Sequence, residues 1–118
     1  MVIQPHSVIK EIQTGFSKAF PFLKLELYWV NEKGTSSPEV KAKPDQRMLH
    51  GNKMRNGHEI EINGNTRISE LQNAFKEYGA HIKIYRKAGR VWIETSLTGD
   101  WTLERQNLEG EAFTNEFS

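Results

Sequence analysis

The stretch "HIKIYRKAGRVWIETSL" (residues 81–97) decides the fold, because it reads as two strands joined by a tight turn. Ile82 and Ile84 alternate with polar residues in the first run, and the second alternating run carries Val91, Ile93, Thr95 and Leu97. Gly89 lies between the runs and can adopt the positive φ that a short hairpin turn needs. The pattern therefore predicts an antiparallel hairpin whose alternating apolar residues face a core.

Two segments with apolar residues at helical spacing precede this hairpin and predict helices over residues 7–20 and 68–79. Ser7 is a candidate N-cap for the first helix, which ends before Pro21. Gly79 is suited to the C-terminus of the second. The predicted buried stripes consist of Ile9, Ile12, Phe16 and Phe20 in the first helix and of Ile68, Leu71, Phe75 and Tyr78 in the second.

Two more strands are predicted between these helices. The run "FLKLELYW" (22–29) turns three leucines to one face, and "HEIEING" (58–64) turns Ile60 and Ile62 inward. The polar segment 31–57 between them is too long for an ordinary connection. We expect part of it to be ordered, with a helical turn near residues 46–49, and the segment as a whole to be the most mobile of the chain.

The chain closes with "WTLERQNLEGEAF" (101–113), which predicts a short C-terminal helix capped by Asp100 or Thr102, followed by a frayed acidic tail over 110–118. A short helix needs apolar docking to persist. We therefore expect Trp101 and Leu103 to anchor this helix against the sheet.

The predicted fold is a single α+β domain over residues 1–118, with one four-stranded, mainly antiparallel sheet and two helices on one face. Its order is α-β-β-α-β-β plus the short C-terminal helix. Five residues recur 59 positions later with their identity kept: Ile9, Glu11, Gln13, Phe16 and Lys24 match Ile68, Glu70, Gln72, Phe75 and Lys83. Both a duplicated αββ unit and two unrelated amphipathic units explain this match.

Composition excludes several classes of function. The 118 residues contain no cysteine, which rules out disulfides, thiolate nucleophiles and cysteine-ligated zinc. The start of the chain does not resemble a signal peptide, and no apolar run is long enough to span a bilayer. We therefore expect a cytoplasmic protein that is not embedded in a membrane. The net charge of +1 lacks the basic excess of most nucleic-acid binders.

Alternation sends a polar and aromatic set to the sheet face opposite the helices: Lys24, Glu26, Tyr28, Glu59, Glu61, Lys83, Tyr85, Trp92 and Glu94. Such a face can stack bases, but its glutamates would repel phosphates, and the RNA-binding consensus is absent. The candidate binding residues are Tyr28, Lys83, Tyr85, Arg86, Lys87, Arg90 and Trp92. An exposed tryptophan is costly, so we expect Trp92 to be covered by the terminal helix, the 31–57 segment or a second subunit.

The segment "YRKAGRVWIETSLTGDWTLERQN" (85–107) resembles a family of small bacterial proteins, seen mainly in Bacteroidetes, that share a strand like V-F-R-K-S-G-N-V-W-L-E-T-T followed by D-W-T-L-E-x-Q-N. Tyr85 and Ala88 stand where that pattern has Phe and Ser. The resemblance implies a standalone module and no particular chemistry.

Catalytic and metal-binding patterns are weak. His50 and His58 lie near Glu59 and Glu61 without the spacing of a metal motif, and Ser36 and Ser37 have no adjacent base. No cofactor is expected. The leading hypothesis is a non-catalytic module that binds a protein partner or itself. The alternative is a weak nucleic-acid or anion binder that uses the open sheet face and the basic hairpin, and the third is a small-molecule enzyme.

Overall fold

The computed structural model describes residues 1–30, 40–49 and 58–116. Its helices are α1 (Ile9–Ala19), α2 (Ile68–Lys76) and α3 (Leu103–Glu116), with a 3-10 turn at Ser96–Thr98. Its strands are β1 (Val2–Ile3), β2 (Leu23–Trp29), β3 (Val40–Lys41), β4 (Ile60–Glu61), β5 (Ala80–Ala88) and β6 (Val91–Glu94). The fold is α+β with antiparallel sheets, as predicted.

The main sheet has four strands in the order β3-β2-β5-β6, and each neighbouring pair is antiparallel. A second, two-stranded sheet is formed by β1 and β4. The prediction that residues 58–64 add a strand to the main sheet is therefore wrong. Ile60 and Ile62 are buried as expected, but their strand pairs with the N-terminal residues, while β3 occupies the position beside β2.

The core lies between the main sheet and the helices, on what we call the inner face of the sheet. Leu25 and Ile84 sit at the centre of this face and are almost completely buried. The helical stripes are buried as predicted, because their apolar spacing turns one side of each helix toward the sheet. The fully buried aromatic residues of the two helices and the loop that follows α2 are Phe16, Phe75 and Tyr78.

The start of α1 differs from the prediction. Val8, not Ser7, holds the N-cap position and makes no side-chain capping bond. The Ser7 hydroxyl instead accepts the Gln4 N–H at 2.8 Å. The first helical N–H, that of Ile9, donates to the carbonyl of Gln46 at 2.8 Å. The Gln46 carbonyl thus accepts a hydrogen bond from a helix N-terminal N–H, which a side-chain cap usually accepts.

Residues 40–49 are ordered without a helix, so the predicted helical turn at 46–49 is wrong. The N–H of Met48 donates to the Ser7 carbonyl at 3.0 Å, and the N–H of Leu49 donates to the Pro5 carbonyl at 3.2 Å. These long-range bonds replace the local ones of a helix and draw the Met48 side chain completely into the core. The rest of the expectation for 31–57 concerns residues 31–39 and 50–57, which lie outside the described residues.

The backbone hydrogen bonds made by the residues that begin α1 recur at the residues that begin α2, 59 positions later. In the first half, Ile9 N–H donates to Gln46 and Met48 N–H to Ser7; in the second, Ile68 N–H donates to Trp101 and Leu103 N–H to Thr66. In each half, therefore, a returning segment bonds the residues that begin the helix and inserts one fully buried side chain, Met48 or Leu103.

The strand registers follow the same relation. Leu25 pairs with Ile84, the residue 59 positions after it, and Val2 pairs with Glu61, again 59 positions later. Each of the two sheets therefore contains one pair in which a residue lies opposite the residue 59 positions after it. In this arrangement β1-α1-β2-β3 corresponds to β4-α2-β5-β6.

The β5–β6 hairpin forms as predicted, with Gly89 at a φ of 69°. The expectation that Val91, Ile93 and Leu97 face a core is wrong, because all three are exposed and only Thr95 of that set is buried. β6 is an edge strand, and α3 lies over β5 and the start of β2 instead of covering β6. Alternation correctly assigned Val91 and Ile93 to the inner face, but that part of the face is only partly covered.

Helix α3 begins at a cap supplied by Thr102, whose hydroxyl accepts the Arg105 N–H at 3.2 Å. One of the two predicted capping residues is thus confirmed. The helix continues to Glu116, past Phe113, where the sequence pattern ended it. Leu103 is fully buried at its start, and Gly110 lies against Phe22 and Arg86 in its middle.

The close approach of Gly110 to Phe22 and Arg86 allows a prediction about the docking of α3. A Cβ atom there would lie 3.0 Å from the Arg86 Cγ and 3.2 Å from the Phe22 carbonyl oxygen. We expect Gly110→Ala to lower the free energy of unfolding by about 1–3 kcal/mol through overpacking, despite the better helix propensity of alanine.

The control is Gly15→Ala in α1, where the nearest atom is the flexible end of Met1 at 3.1 Å. There we expect a gain of about 0.5–1 kcal/mol from helix propensity. Urea unfolding of both variants checks the prediction, and equal stability of the two would contradict it.

Candidate functional site

The face of the main sheet that points away from the helices, here called the open face, carries aromatic and charged side chains. Its residues are Lys24, Glu26 and Tyr28 from β2, Lys83, Tyr85 and Lys87 from β5, and Trp92 and Glu94 from β6. The register sets Lys24 opposite Tyr85 and Lys87 opposite Trp92. Most of the predicted binding residues therefore share one surface.

Lysine side chains lie over the aromatic rings of the open face. The Lys24 ammonium is 5.3 Å from the centre of the Tyr85 ring and 5.0 Å from that of Trp92. The Lys83 ammonium is 5.1 Å from the centre of the Tyr28 ring. These are cation–π distances, so the rings already have partners within the chain. A nucleobase would have to displace these lysines in order to stack.

Glu26 links the β2 side of the open face. Its carboxylate accepts the Tyr28 hydroxyl at 2.7 Å and lies 3.9 Å from both the Lys24 and the Lys41 ammonium groups. The bond to Glu26, with partial burial and the carboxylate charge, raises the pKa of the Tyr28 phenol well above its ordinary value. The phenol is thus a hydrogen-bond donor at neutral pH, not a base.

The remaining predicted binding residues lie elsewhere. Arg86 shares the inner face with Ile84, and its guanidinium donates to the Gln106 side-chain oxygen at 3.1 Å. Arg90 is exposed in the turn after Gly89. The predicted basic cluster of the hairpin is therefore split between two faces, because alternate residues of a strand point in opposite directions.

The predicted anchor Trp101 lies half-buried between two guanidinium groups. Its ring centre is 3.8 Å from the Arg105 guanidinium carbon and 5.7 Å from that of Arg86. Its carbonyl accepts the first helical N–H of α2, from Ile68, at 3.1 Å. Trp101 thus touches α2, α3 and β5, while Leu103 occupies the core beside it.

Two expectations for the open face need correction. Glu59 and Glu61 do not lie on it, because β4 belongs to the second sheet. The terminal helix does not cover Trp92, since α3 packs on the inner face, and Trp92 is 38% exposed. Of the covers expected for Trp92, a second subunit and the part of 31–57 outside the described residues stay untested.

The outer side of β6, here called the free edge (Val91–Glu94), carries three exposed apolar side chains. Val91 is 58% exposed, Ile93 44% and Trp92 38%, and within the described ranges β6 pairs with β5 alone. Leu97, which follows this strand, is 97% exposed. An exposed, apolar edge strand is a template for pairing with another chain.

On the opposite side of the sheet, the end of β2 pairs with β3 and the start of β2 bonds to α1. Beyond the short β3, the outward carbonyls of β2 are satisfied by α1: the Gln13 amide donates to Leu25 at 3.0 Å, and the Ser17 hydroxyl donates to Leu23 at 3.2 Å. These side chains occupy the carbonyls that a further strand beside Leu23 and Leu25 would need. Sequence reasoning missed them because polar residues on a helix flank carry no distinctive pattern.

No catalytic or metal constellation emerges from the described residues. No group of three potential metal ligands is found among residues 1–30, 40–49 and 58–116. His58 and Glu59 are exposed beside β4, and the other candidates, His50, Ser36 and Ser37, lie outside these ranges. In the part of the chain that the structure describes, no helical segment has the length and apolarity of a membrane span.

Comparisons with known proteins give no relative for this chain. No protein-family model matches it, and neither the curated proteins nor the solved structures contain a match. Its function must therefore be argued from the surface described above.

Proposed function

We propose that this protein is a non-catalytic interaction module that binds another polypeptide along the free edge of β6. The observation that carries this proposal is the contrast between the two sides of the main sheet. On one side, Gln13 and Ser17 of α1 occupy the outward carbonyls of Leu25 and Leu23. The other presents Val91, Trp92 and Ile93 to solvent on a strand that pairs with β5 alone within the described residues.

Strand addition suits this edge because it supplies two kinds of contact. Main-chain hydrogen bonds give affinity, and alternate side chains on the two faces give specificity. On the inner face these are Val91 and Ile93, and on the open face they are Trp92 and Glu94. Burial of exposed apolar surface contributes about 25 cal/mol per Å² removed from water.

The alternative, a nucleic-acid or anion binder, has less support. The rings that would stack bases already lie under Lys24 and Lys83. Glu26 and Glu94 share the open face and would repel phosphates, and Arg86 points to the opposite face, where it bonds to Gln106.

We further propose that the two halves arose by duplication of a βαββ unit. We also propose that the protein is cytoplasmic. Support for the duplication comes from the similar hydrogen bonds at the starts of α1 and α2, which are 59 positions apart. It also comes from the strand pairs Leu25–Ile84 and Val2–Glu61, in which a residue lies opposite the one 59 positions after it. This unit begins one strand earlier than the αββ unit expected from the sequence. On this proposal β6 corresponds to β3.

Photo-crosslinking in native lysate tests the interaction. A photo-reactive residue at Trp92 is expected to form an adduct with a polypeptide, and the same residue at Leu108, exposed on α3, is expected to form none. Adding Glu94→Pro should abolish the Trp92 adduct, because proline lacks the N–H that strand pairing needs. Equal labelling at the two positions would overturn the proposed function.

A further inference from the structure

We propose that the polypeptide bound at the free edge is a second copy of this chain, paired antiparallel through β6 about a two-fold axis at Trp92. This inference rests on the proposed function and names the partner. The main sheets of the two copies would then form one continuous eight-stranded sheet, twice the four strands of each chain.

The backbone fixes which residues can pair across this edge. The Thr95 N–H donates to the Ile84 carbonyl at 3.0 Å, and Ile93 stands opposite Arg86 in the same ladder. Backbone groups alternate along a strand, so those of Val91, Ile93 and Thr95 point toward β5. Those of Arg90, Trp92 and Glu94 therefore point away from β5 and are available to a partner strand.

Three antiparallel registers, centred on Val91, Trp92 or Ile93, pair these outward groups with one another at two or more positions. Centring on Trp92 joins the most of them: Trp92 pairs with Trp92 of the partner subunit, and Arg90 pairs with Glu94 of the partner subunit, twice by symmetry. Opposite charges directly across a ladder are favourable, and like charges are not. The other two registers leave Arg90 opposite an uncharged residue.

The side chains agree with this register on both faces. On the inner face, Val91 lies opposite Ile93 of the partner subunit, so two exposed apolar side chains cover each other in each half of the interface. On the open face, the two Trp92 side chains become neighbours, at the roughly 5.5 Å Cα separation of a hydrogen-bonded pair. The edge is thus self-complementary in shape, polarity and charge, as a two-fold interface must be.

Charge reversal tests the register on the purified full chain. Arg90→Glu places Glu against Glu of the partner subunit, and Glu94→Arg places Arg against Arg. By sedimentation velocity over a concentration series, we expect each single variant to raise the dimer dissociation constant at least about tenfold, because the repulsion occurs twice. Both residues are exposed, so folding should be unaffected, and circular dichroism checks this.

The double variant Arg90→Glu/Glu94→Arg restores opposite charges and should dimerise like the wild type. An equimolar mixture of the two single variants should form a heterodimer, because each chain then presents the charge that the other lacks. Both effects should shrink at high salt. No role of these residues within a single chain predicts recovery on mixing.

Failure of this inference can be told from failure of the proposed function. A wild type that stays monomeric up to about 1 mM, a concentration at which even weak complexes form, overturns self-pairing. If the Trp92 photo-crosslink then captures a different protein, edge binding survives; if it captures nothing, both fall. A dimer whose dissociation constant is unchanged in the single variants overturns the Trp92-centred register.

Discussion

Phe16→Ala and Phe75→Ala are each expected to lower the free energy of unfolding by about 3–5 kcal/mol, the cost of removing a fully buried phenylalanine side chain. Both side chains have 0% exposure. They occupy the same position in α1 and α2, 59 residues apart. A loss of this size is a large share of the 5–15 kcal/mol by which a typical domain is stable.

The matched control is Leu108→Ala, which truncates an exposed side chain of α3 and should change stability by no more than about 0.5 kcal/mol. Urea unfolding of the three variants gives the comparison. The Phe16 ring centre also lies 5.3 Å from that of Phe20, so its loss removes an aromatic contact as well. Losses below 1 kcal/mol in both variants would contradict the position of the helices in the core.

The helices and the hairpin could be predicted because local signals specify them. Periodicity of 3.6 residues placed Phe16 and Phe75 on the buried faces, and a glycine between two alternating runs identified the turn at Gly89. These features depend on residues close in sequence. The second sheet could not be predicted in this way, because β1 and β4 have two residues each and exist only through their pairing.

A signal for β4 was nevertheless present in the sequence. Ile3 and Ile62 are 59 positions apart, as are the helical residues whose match is visible from the sequence. Extending that comparison toward the N-terminus would have placed Ile62 at the start of the second half, beside the β1 residues. Length and alternation alone assigned it to the end of the first half.

The residues of the open face could be predicted only in part. Alternation correctly grouped Lys24, Tyr28, Tyr85 and Trp92, since it reports the direction of each side chain. The same rule assigns Arg86 to the inner face with Ile84, which the grouping of hairpin cations overlooked. Whether another element covers a face depends on where α3 docks, and the sequence of β6 contains no information about that contact.

Leu103→Ala is expected to lower the free energy of unfolding by about 2–5 kcal/mol, more than Trp101→Ala, although tryptophan is the larger residue. Leu103 has 0% exposure and joins the core cluster, so its truncation leaves a cavity. Trp101 is half-buried, and its ring contacts the guanidinium groups of Arg86 and Arg105. Such contacts contribute about 0.5–1 kcal/mol each near the surface, so Trp101→Ala should cost about 1–2 kcal/mol.

Comparing the stability losses of Leu103→Ala and Trp101→Ala shows which contacts attach α3 to the rest of the domain. The buried residues of α3 are Leu103, Gln106 and Gly110, and of these only Leu103 has a large apolar side chain. Met48→Ala removes the corresponding buried residue of the first half and should cost a similar 2–5 kcal/mol. Urea unfolding measures all three variants, and amide exchange reports whether α3 opens before the sheet. Unchanged stability in Trp101→Ala would reject its role as an anchor, and a smaller loss in Leu103→Ala than in Trp101→Ala would show that the stacked guanidinium groups, not the core, hold the helix.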